Sequence, residues 1–300
     1  MIGKGISFFY VLIYIRDDIE IEKLRHLSKE IKGSDLMFKA VKNLCDRVLT
    51  DWNDESIVKI YPFIDDFYNL LEKFEEISKN TYEYSDSKLY SVISNTLNNV
   101  HRILTEVLNS VIIGQRISLS SLNRSLIENY IVFSFLVKHG EKAAELFIAD
   151  SEIVFQKNVK IYNDNLKRED IAKVDAIILE TKNEYLDVKF GDGYKWGNSF
   201  IERKMDDRTG LEDISKDTDL HKHYQRLKTF HTQTHNSSAL SHYLNITQYD
   251  SVLIYLSRIM NAIFYGSVIL KLVVKEESYD EYYKIYMELA YKYDKVIATI

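Results

Sequence analysis

The sequence contains a single proline and only ten glycines in 300 residues. Both residue types end or distort helices, so their scarcity predicts long helices joined by few connections. There is also a single cysteine, Cys45, which excludes an intrachain disulfide and is typical of a reducing compartment. We therefore expect a cytoplasmic protein that is built mainly from helices.

Long hydrophobic runs are also lacking. The apolar segment 6–15 is too short to cross a bilayer, and no signal-peptide cleavage site follows it. The segment 252–274 is longer, but Arg258 and Lys271 leave only twelve uncharged residues between them. We predict a buried core helix at this segment and no association with a membrane.

An excess of positive charge is absent as well. The formal net charge is −6 and the isoelectric point is about 5.8. A protein whose whole surface coats nucleic acid would be basic, so the composition argues against that class. A local basic pocket remains compatible with these numbers.

Helical spacing of apolar residues covers much of the chain. Residues 56–79 and 89–114 repeat apolar side chains every three or four positions, which predicts amphipathic helices. Residues 118–140 are apolar on nearly all sides after Leu126, which is typical of a central, buried helix. Gly140 suits the C-terminal cap of that helix, and two further helices should follow it.

The segment 187–219 differs from the rest, because it is rich in glycine and acidic residues and has no helical spacing. It predicts an irregular loop insertion, and long loops of this kind are often functional. We therefore predict an all-α protein, a multi-helix bundle with an N-terminal helical region at 1–85. A helical domain at 86–300 would follow and carry the loop insertion.

Histidine is concentrated in one segment, since five of the eight histidines lie between His221 and His242. If residues 219–243 form a helix, one stripe of that helix carries five polar or aromatic side chains. They are Tyr224, His231, His235, Ser238 and His242. Unpaired buried imidazoles are costly, so this stripe should line a wet cleft or an interface.

Three interpretations of His231 and His235 are open. Their H-x-x-x-H spacing could supply two zinc ligands, but no third ligand follows at a fixed spacing, and we expect neither a metal nor another cofactor. The two histidines could instead be structural, either on a solvated helix face or hydrogen-bonded in the core. The third interpretation is acid–base chemistry on a phosphodiester, because histidine exchanges protons near pH 7.

Arg226 and His231 have the spacing R-x4-H, which fits the third interpretation. RNA cleavage without a metal needs a base for the 2′-hydroxyl, an acid for the 5′-oxygen and a cation for the phosphorane. The planar fork of an arginine matches phosphate oxygens. In a continuous helix, however, the two residues point about 140° apart. They converge only if the helix bends near Arg226 or a second chain contributes.

Arg124 and Glu128 lie four residues apart on one face of the most apolar predicted helix. Charges in such a helix are expensive unless they are paired. The two residues therefore either form an intrahelical ion pair that organises the core or line the same cleft as the histidines.

Three segments resemble an uncharacterised bacterial all-helical family, described as a domain of unknown function. They are the R-x-x-x-E helix at Arg124 and Glu128, the segment WGNSFIERK at 196–204, and the His-x-Ser-Ser segment at 235–238. The likeness spans about residues 90–275. That family is in turn similar to the HEPN group of helical domains, many of which are metal-independent endoribonucleases of toxin–antitoxin, CRISPR or phage-defence systems.

The resemblance implies an endoribonuclease-like protein of bacterial toxin or anti-phage defence type. It implies RNA as substrate, a cleft made by a homodimer, and an antitoxin or defence-system partner protein. His235 or His231 would be the base or the acid, Arg226 or Arg124 would stabilise phosphate charge, and Glu128 would orient one of these groups.

Two other functions stay open. Some HEPN-like proteins are catalytically silent, so the alternative is a non-catalytic helical adaptor or ligand-binding module in a defence complex. A zinc-dependent hydrolase is the third.

Overall fold

The computed structural model describes residues 54–80, 87–112, 116–162, 167–191, 193–202, 208–234 and 251–297. Within these residues the chain forms eight α-helices and one short 3₁₀-helix, and it contains no β-strand. The predicted all-α architecture is confirmed for this part of the chain. The predicted N-terminal helical region lies outside the described residues up to residue 53.

The α-helices are numbered α1 to α8 in chain order. They are α1 Asp54–Asn80, α2 Lys88–Ile112, α3 Arg116–Tyr162, α4 Arg168–Glu184, α5 Leu211–Asp217, α6 His221–Thr234, α7 Ser251–Lys271 and α8 Glu276–Ile297. The 3₁₀-helix, Lys195–Phe200, lies between α4 and α5. Among these described helices, none combines the length and the apolar character that a membrane crossing requires.

Helix α3 consists of two arms and is not one straight rod. Gly140 interrupts it with a φ of +70° and a ψ of −148°, so the predicted helix end at this glycine is confirmed. Trp196 contacts both Phe135 and Phe147, with ring centroids 5.7 and 5.4 Å away. In a straight helix these two phenylalanines would stand about 18 Å apart, which one indole ring cannot bridge. The two arms therefore fold back beside each other at Gly140.

The first arm of α3, residues 116–139, is the central helix of the fold. Helix α3 packs against α2, α4, α5, α6, α7 and the 3₁₀-helix. In its first arm, the side chains of Leu126, Ile131 and Phe135 are buried. The prediction of a central, buried helix is therefore confirmed, and its apolar character on nearly all sides follows from having neighbours on nearly all sides.

Helices α1, α7 and α8 pack against one another, and α1 and α7 also contact α2. Helix α7 is the buried core helix that was expected at 252–274, and its Tyr255 and Ile263 are buried. Buried side chains of α1, such as Phe63 and Phe74, belong to the same apolar core. Residues 54–80 thus share this core, while the division of the chain near residue 85 stays a prediction.

The segment 187–219 is partly helical, although its composition predicts an irregular loop. It contains the 3₁₀-helix, whose Trp196 is buried against both arms of α3, and it contains α5. The backbone N–H of Gly210 donates a hydrogen bond to the Asp213 carboxylate at 2.9 Å, which caps the start of α5. Glycine and acidic residues, which suggest a loop, here serve as turns and as a helix cap.

Candidate functional site

Helix α6 carries the histidine segment, and the predicted helix is confirmed as far as Thr234. It runs antiparallel to the first arm of α3. Asp217, just before α6, lies 2.8 Å from the Nε2 of His139 near the end of that arm. His223 contacts the ring of Tyr130, nine residues earlier in the arm. Both helices rise about 1.5 Å per residue. The last turns of α6 therefore lie beside the first turns of this arm.

Three polar side chains meet near the start of α6: His223 and Arg226 of α6, and Tyr265 of α7. The Nδ1 of His223 lies 3.0 Å from the hydroxyl of Tyr265. The guanidinium of Arg226 lies near enough to Tyr265 for its positive charge to lower the pKa of the phenol. The ring of Tyr130, from α3, packs edge-on against His223 at a centroid distance of 5.3 Å. Tyr265 is buried and Arg226 is exposed, so this cluster leads from the core to the surface.

Burial shapes the protonation of this cluster. It lowers the pKa of His223, and the positive charge of Arg226 lowers that pKa further. Burial raises the pKa of Tyr265, while the positive charge of Arg226 acts in the opposite direction. At pH 7 the imidazole is therefore neutral and the phenol keeps its proton. A neutral imidazole held at one nitrogen is the form in which histidine accepts a proton.

A further basic group lies at the other end of α6. The guanidinium of Arg258, from α7, lies over the ring of Phe230, 4.3 Å from the ring centroid. Burial lowers the pKa of Arg258 to about 10, so this arginine is charged at pH 7. Phe230 directly precedes His231 in α6. An arginine is thus placed beside the turn whose backbone carries His231.

Arg124 and Glu128 lie on the first arm of α3, and Tyr194 reaches them from the residue before the 3₁₀-helix. The Tyr194 hydroxyl donates a hydrogen bond to Glu128 Oε1 at 2.6 Å. Burial, followed by the charge and the hydrogen bond of Glu128, raises the pKa of Tyr194, and the charge of Arg124 opposes this shift. In the described part of the chain, the hydrogen-bond partner of Glu128 is therefore a tyrosine from another element.

Arg124 has a donor that is not used. Its Nε is buried and makes no hydrogen bond to any described residue. A buried donor of a charged group without an acceptor is costly, because its lost hydration is not replaced.

Of the predicted site residues, the structure describes the side chains of Arg124, Glu128 and Arg226. The side chain of His231 and the whole of His235 lie outside the described residues. The predicted meeting of these two histidines with an arginine therefore stays a prediction. Arg226 instead meets a histidine three residues before it in the chain.

Sequence reasoning missed His223, Tyr265 and Arg258 as site residues. A usable signal for His223 was its spacing of three to Arg226, which places both on one helix face. Arg258 showed the same signal as Arg124, which is a charge within an apolar helix. Tyr265 showed none, because it is one of several aromatic residues in an apolar segment.

In the described part of the chain, no group of three or more histidine, cysteine, aspartate or glutamate side chains could hold a metal ion. This finding does not extend to the predicted zinc-ligand pair of His231 and His235, whose side chains are not described.

Comparison with known proteins gives a family and no individual relative. Neither the curated proteins nor the solved structures contain a match to the chain. A family model matches residues 90–251, which is more than half of the chain. The match covers most of α2 and all of α3 to α6, and it ends at the first residue of α7. The expected resemblance to an uncharacterised family is thereby confirmed, and the chain belongs to DUF5677, a family of unknown function.

Proposed function

We propose that this protein is a metal-independent endoribonuclease of HEPN-like type that acts in bacterial toxin or anti-phage defence systems. The observation that carries the proposal is the contact of His223 with the hydroxyl of Tyr265, beside Arg226 one turn further along α6. This arrangement places a neutral imidazole and a guanidinium close together on α6. They are the base and the cation that metal-independent RNA cleavage needs.

In the proposed mechanism, Nε2 of His223 takes the proton of the 2′-hydroxyl, while Nδ1–H donates to the Tyr265 oxygen and holds the ring. The 2′-oxygen attacks the adjacent phosphorus. The bond from phosphorus to the 5′-oxygen breaks, and the 5′-oxygen receives a proton from an acid. Arg226 donates hydrogen bonds to the phosphorane oxygens, where negative charge accumulates. The products are a 2′,3′-cyclic phosphate and a 5′-hydroxyl.

The acid in this mechanism is His231 or His235 of a second copy of the chain. His223 and His231 are eight residues apart in α6, which corresponds to about 12 Å along an α-helix. On a single helix the two residues are therefore two turns apart and are not neighbours. In a two-fold symmetric homodimer, the last turn of one α6 can lie beside the first turn of the other, which brings the two histidines together.

The other charged groups bind the rest of the RNA strand. Arg124 has a buried Nε without an acceptor in the described part of the chain, and Arg258 is charged beside the last turn of α6. Both suit phosphates that flank the cleaved bond. Glu128 holds Tyr194 and so positions the segment beside Arg124. An antitoxin or defence-system partner would act by covering this surface.

The direct test is cleavage of single-stranded RNA by the purified protein in EDTA, with analysis of the product ends. His223→Asn keeps a polar group near the Nδ1 position but lacks Nε2, so we expect the rate to fall at least about 100-fold. His221→Asn, two residues earlier in the same helix, is the matched control and should cleave normally. The proposal fails if the wild-type protein cuts no RNA, or if both variants lose activity equally.

Arg226 is tested in the same assay. Arg226→Lys keeps the charge but loses the planar fork, so we expect a slower reaction at saturating RNA. Arg102→Lys changes an arginine that is also exposed, on α2, and should leave the rate unchanged. Equal rates for the two lysine variants would remove Arg226 from the mechanism.

The dimer is tested by mixing two inactive variants. His223→Asn lacks the base, and the His231→Ala/His235→Ala double variant lacks the acid. If the acid comes from a second copy, mixed dimers contain one intact site and activity returns on mixing. Activity that fails to return, while both variants still dimerise, would place base and acid in one chain.

A non-catalytic adaptor of a defence complex is the second candidate, and one observation favours it. Large apolar side chains are exposed on the second arm of α3, on α4 and just after α4, with Ile161 at 65%, Leu179 at 59% and Leu186 at 76% exposure. Exposed apolar patches often mark interaction sites. A protein that cuts no RNA, but keeps its full cellular effect as His223→Asn, would favour the adaptor.

A further inference from the structure

An open groove of about 500 Å³ lies between α2 and the two arms of α3. Asn129 of the first arm and Phe155 of the second arm both line it. In a straight helix these residues would stand about 39 Å apart, so the fold-back at Gly140 creates the groove. A volume of this size is in the range of small-ligand sites.

Amide groups dominate the polar lining of the groove. Asn95 and Asn99 lie one turn apart on α2, and Asn99 Nδ2 donates to Asn129 Oδ1 at 3.3 Å. Asn129 Nδ2 donates to the backbone carbonyl of Ser125 at 2.8 Å, which fixes how its amide is turned. Asn95 is exposed and Thr96 is half-buried, and both line the groove. The groove thus presents amide and hydroxyl groups that can donate and accept hydrogen bonds.

The charge of the groove limits what it can bind. Its lining includes one carboxylate, Glu152, and no lysine, arginine or histidine among the described residues. A ligand bound through a phosphate or carboxylate would meet no cation there and would be repelled by Glu152. The lining instead suits a neutral ligand that has both hydrogen-bond donors and acceptors, with an amino group near Glu152.

Phe155 adds a flat apolar surface at this groove. Phe155 is 60% exposed, although large aromatic residues are usually buried. Exposed aromatic rings that line a polar groove are typical platforms for the stacking of planar ligands. The ligand should therefore be planar as well as neutral.

We propose that this groove binds an adenine base, either in free adenosine or in an unpaired nucleotide of RNA. Asparagine pairs with adenine by accepting from its amino group and donating to its ring nitrogen. Asn99 and Asn95 supply such amides, Glu152 is a second acceptor for the amino group, and Phe155 stacks on the ring. The inference goes beyond the proposed cleavage, because binding of a base requires neither His223 nor Arg226.

The ligand is tested by calorimetric titration of the full chain in EDTA with adenosine, inosine and 2′-O-methyl oligoadenylate. The oligonucleotide lacks the 2′-hydroxyl and so cannot be cut by the proposed mechanism. We expect saturable binding of an adenine ligand, and at least about tenfold weaker binding of inosine, whose C6 oxygen cannot donate. Binding of the oligonucleotide alone assigns the groove to unpaired RNA, and binding of adenosine assigns it to the free nucleoside as well. No binding of either adenine ligand, or equal binding of adenosine and inosine, overturns the proposal.

Matched variants locate the site. Asn99→Ala and Phe155→Leu should each weaken binding at least about tenfold, because one loses an amide and the other a flat ring. Asn98→Ala changes the neighbouring exposed asparagine outside the groove, and Ile161→Ala changes an exposed residue on the same arm. Equal losses in these controls overturn the assignment. If the protein binds adenine but cuts no RNA, the cleavage proposal is wrong and the adenine proposal stands.

Discussion

Gly140 has a backbone conformation that side chains disfavour. Its φ of +70° and ψ of −148° belong to a region that is essentially restricted to glycine. A Cβ at this position would meet nothing within 4 Å, so the cost of a side chain comes from the backbone alone. We expect Gly140→Ala to lower the free energy of unfolding by about 1–3 kcal/mol, measured by urea denaturation.

Two substitutions control this experiment. Gly197→Ala adds a Cβ that would make ordinary contacts, at 3.5 Å from the ring of Phe135, so we expect little change in stability. Gly140→Asn should destabilise as Gly140→Ala does, because asparagine tolerates a positive φ mainly when ψ is about +45°. A Gly140→Ala protein as stable as wild type would contradict the fold-back of α3.

Asp217, the last residue of α5, connects this helix to the first arm of α3. Its carboxylate lies 2.8 Å from His139 Nε2 and 3.0 Å from Lys138 Nζ, and the His139 and Asp217 side chains are each only 17% exposed. Removing the carboxylate leaves a mostly buried imidazole without this partner. We expect Asp217→Ala to lower the free energy of unfolding by about 1.5–3 kcal/mol.

The matched control is Asp175→Ala, because Asp175 pairs with Lys160 at 2.6 Å while it is 57% exposed. An exposed pair contributes about 0–1 kcal/mol, so its loss should be hard to detect. Hydrogen exchange should also show faster opening of residues 208–220 in Asp217→Ala. If both alanine variants are equally stable, the contact between α5 and α3 is only a surface ion pair.

The sequence pattern predicts which segments form buried helices. It does not predict the direction in which the chain continues after a helix ends. The apolar spacing of α3 and α7 predicts buried helices because burial on all sides requires apolar residues on all sides. Gly140 predicts an end to a helix, but a glycine is equally compatible with a stop, a bend or a fold-back. The choice depends on Trp196, which lies far along the chain and packs between the two arms.

The candidate site was predictable only where its signal is local. Arg124 and Glu128 stand out as charges in an apolar helix, and the structure places Tyr194 against Glu128. The contact of His223 with Tyr265 joins residues 42 positions apart on different helices. Periodicity shows which face of a helix is apolar, but it does not show which other helix that face meets.

Two partly buried histidines in different parts of the molecule resist protonation. His101, on α2, is stacked on Phe74 of α1 at a centroid distance of 6.2 Å. Burial lowers the pKa of His101, with Glu75 opposing the shift and Lys79 adding to it. Burial and Arg226 lower the pKa of His223 in the same direction. The folded chain therefore keeps both rings neutral at a pH where the unfolded chain does not.

This difference makes the stability of the whole molecule depend on pH. Well above about pH 6.5, the ordinary pKa of histidine, both rings are neutral in either state, and the stability is fully present. As the pH falls through that value, the two histidines bind protons in the unfolded chain but not in the folded chain. The free energy of unfolding therefore decreases. Carboxylates with a lowered pKa, such as Glu141 and Glu145, contribute only at lower pH. Urea denaturation at pH 7.5 and pH 5.5 should therefore show a loss in the wild type and a smaller loss in His101→Gln/His223→Asn. An equally steep loss in the double variant would mean that other groups cause the pH dependence.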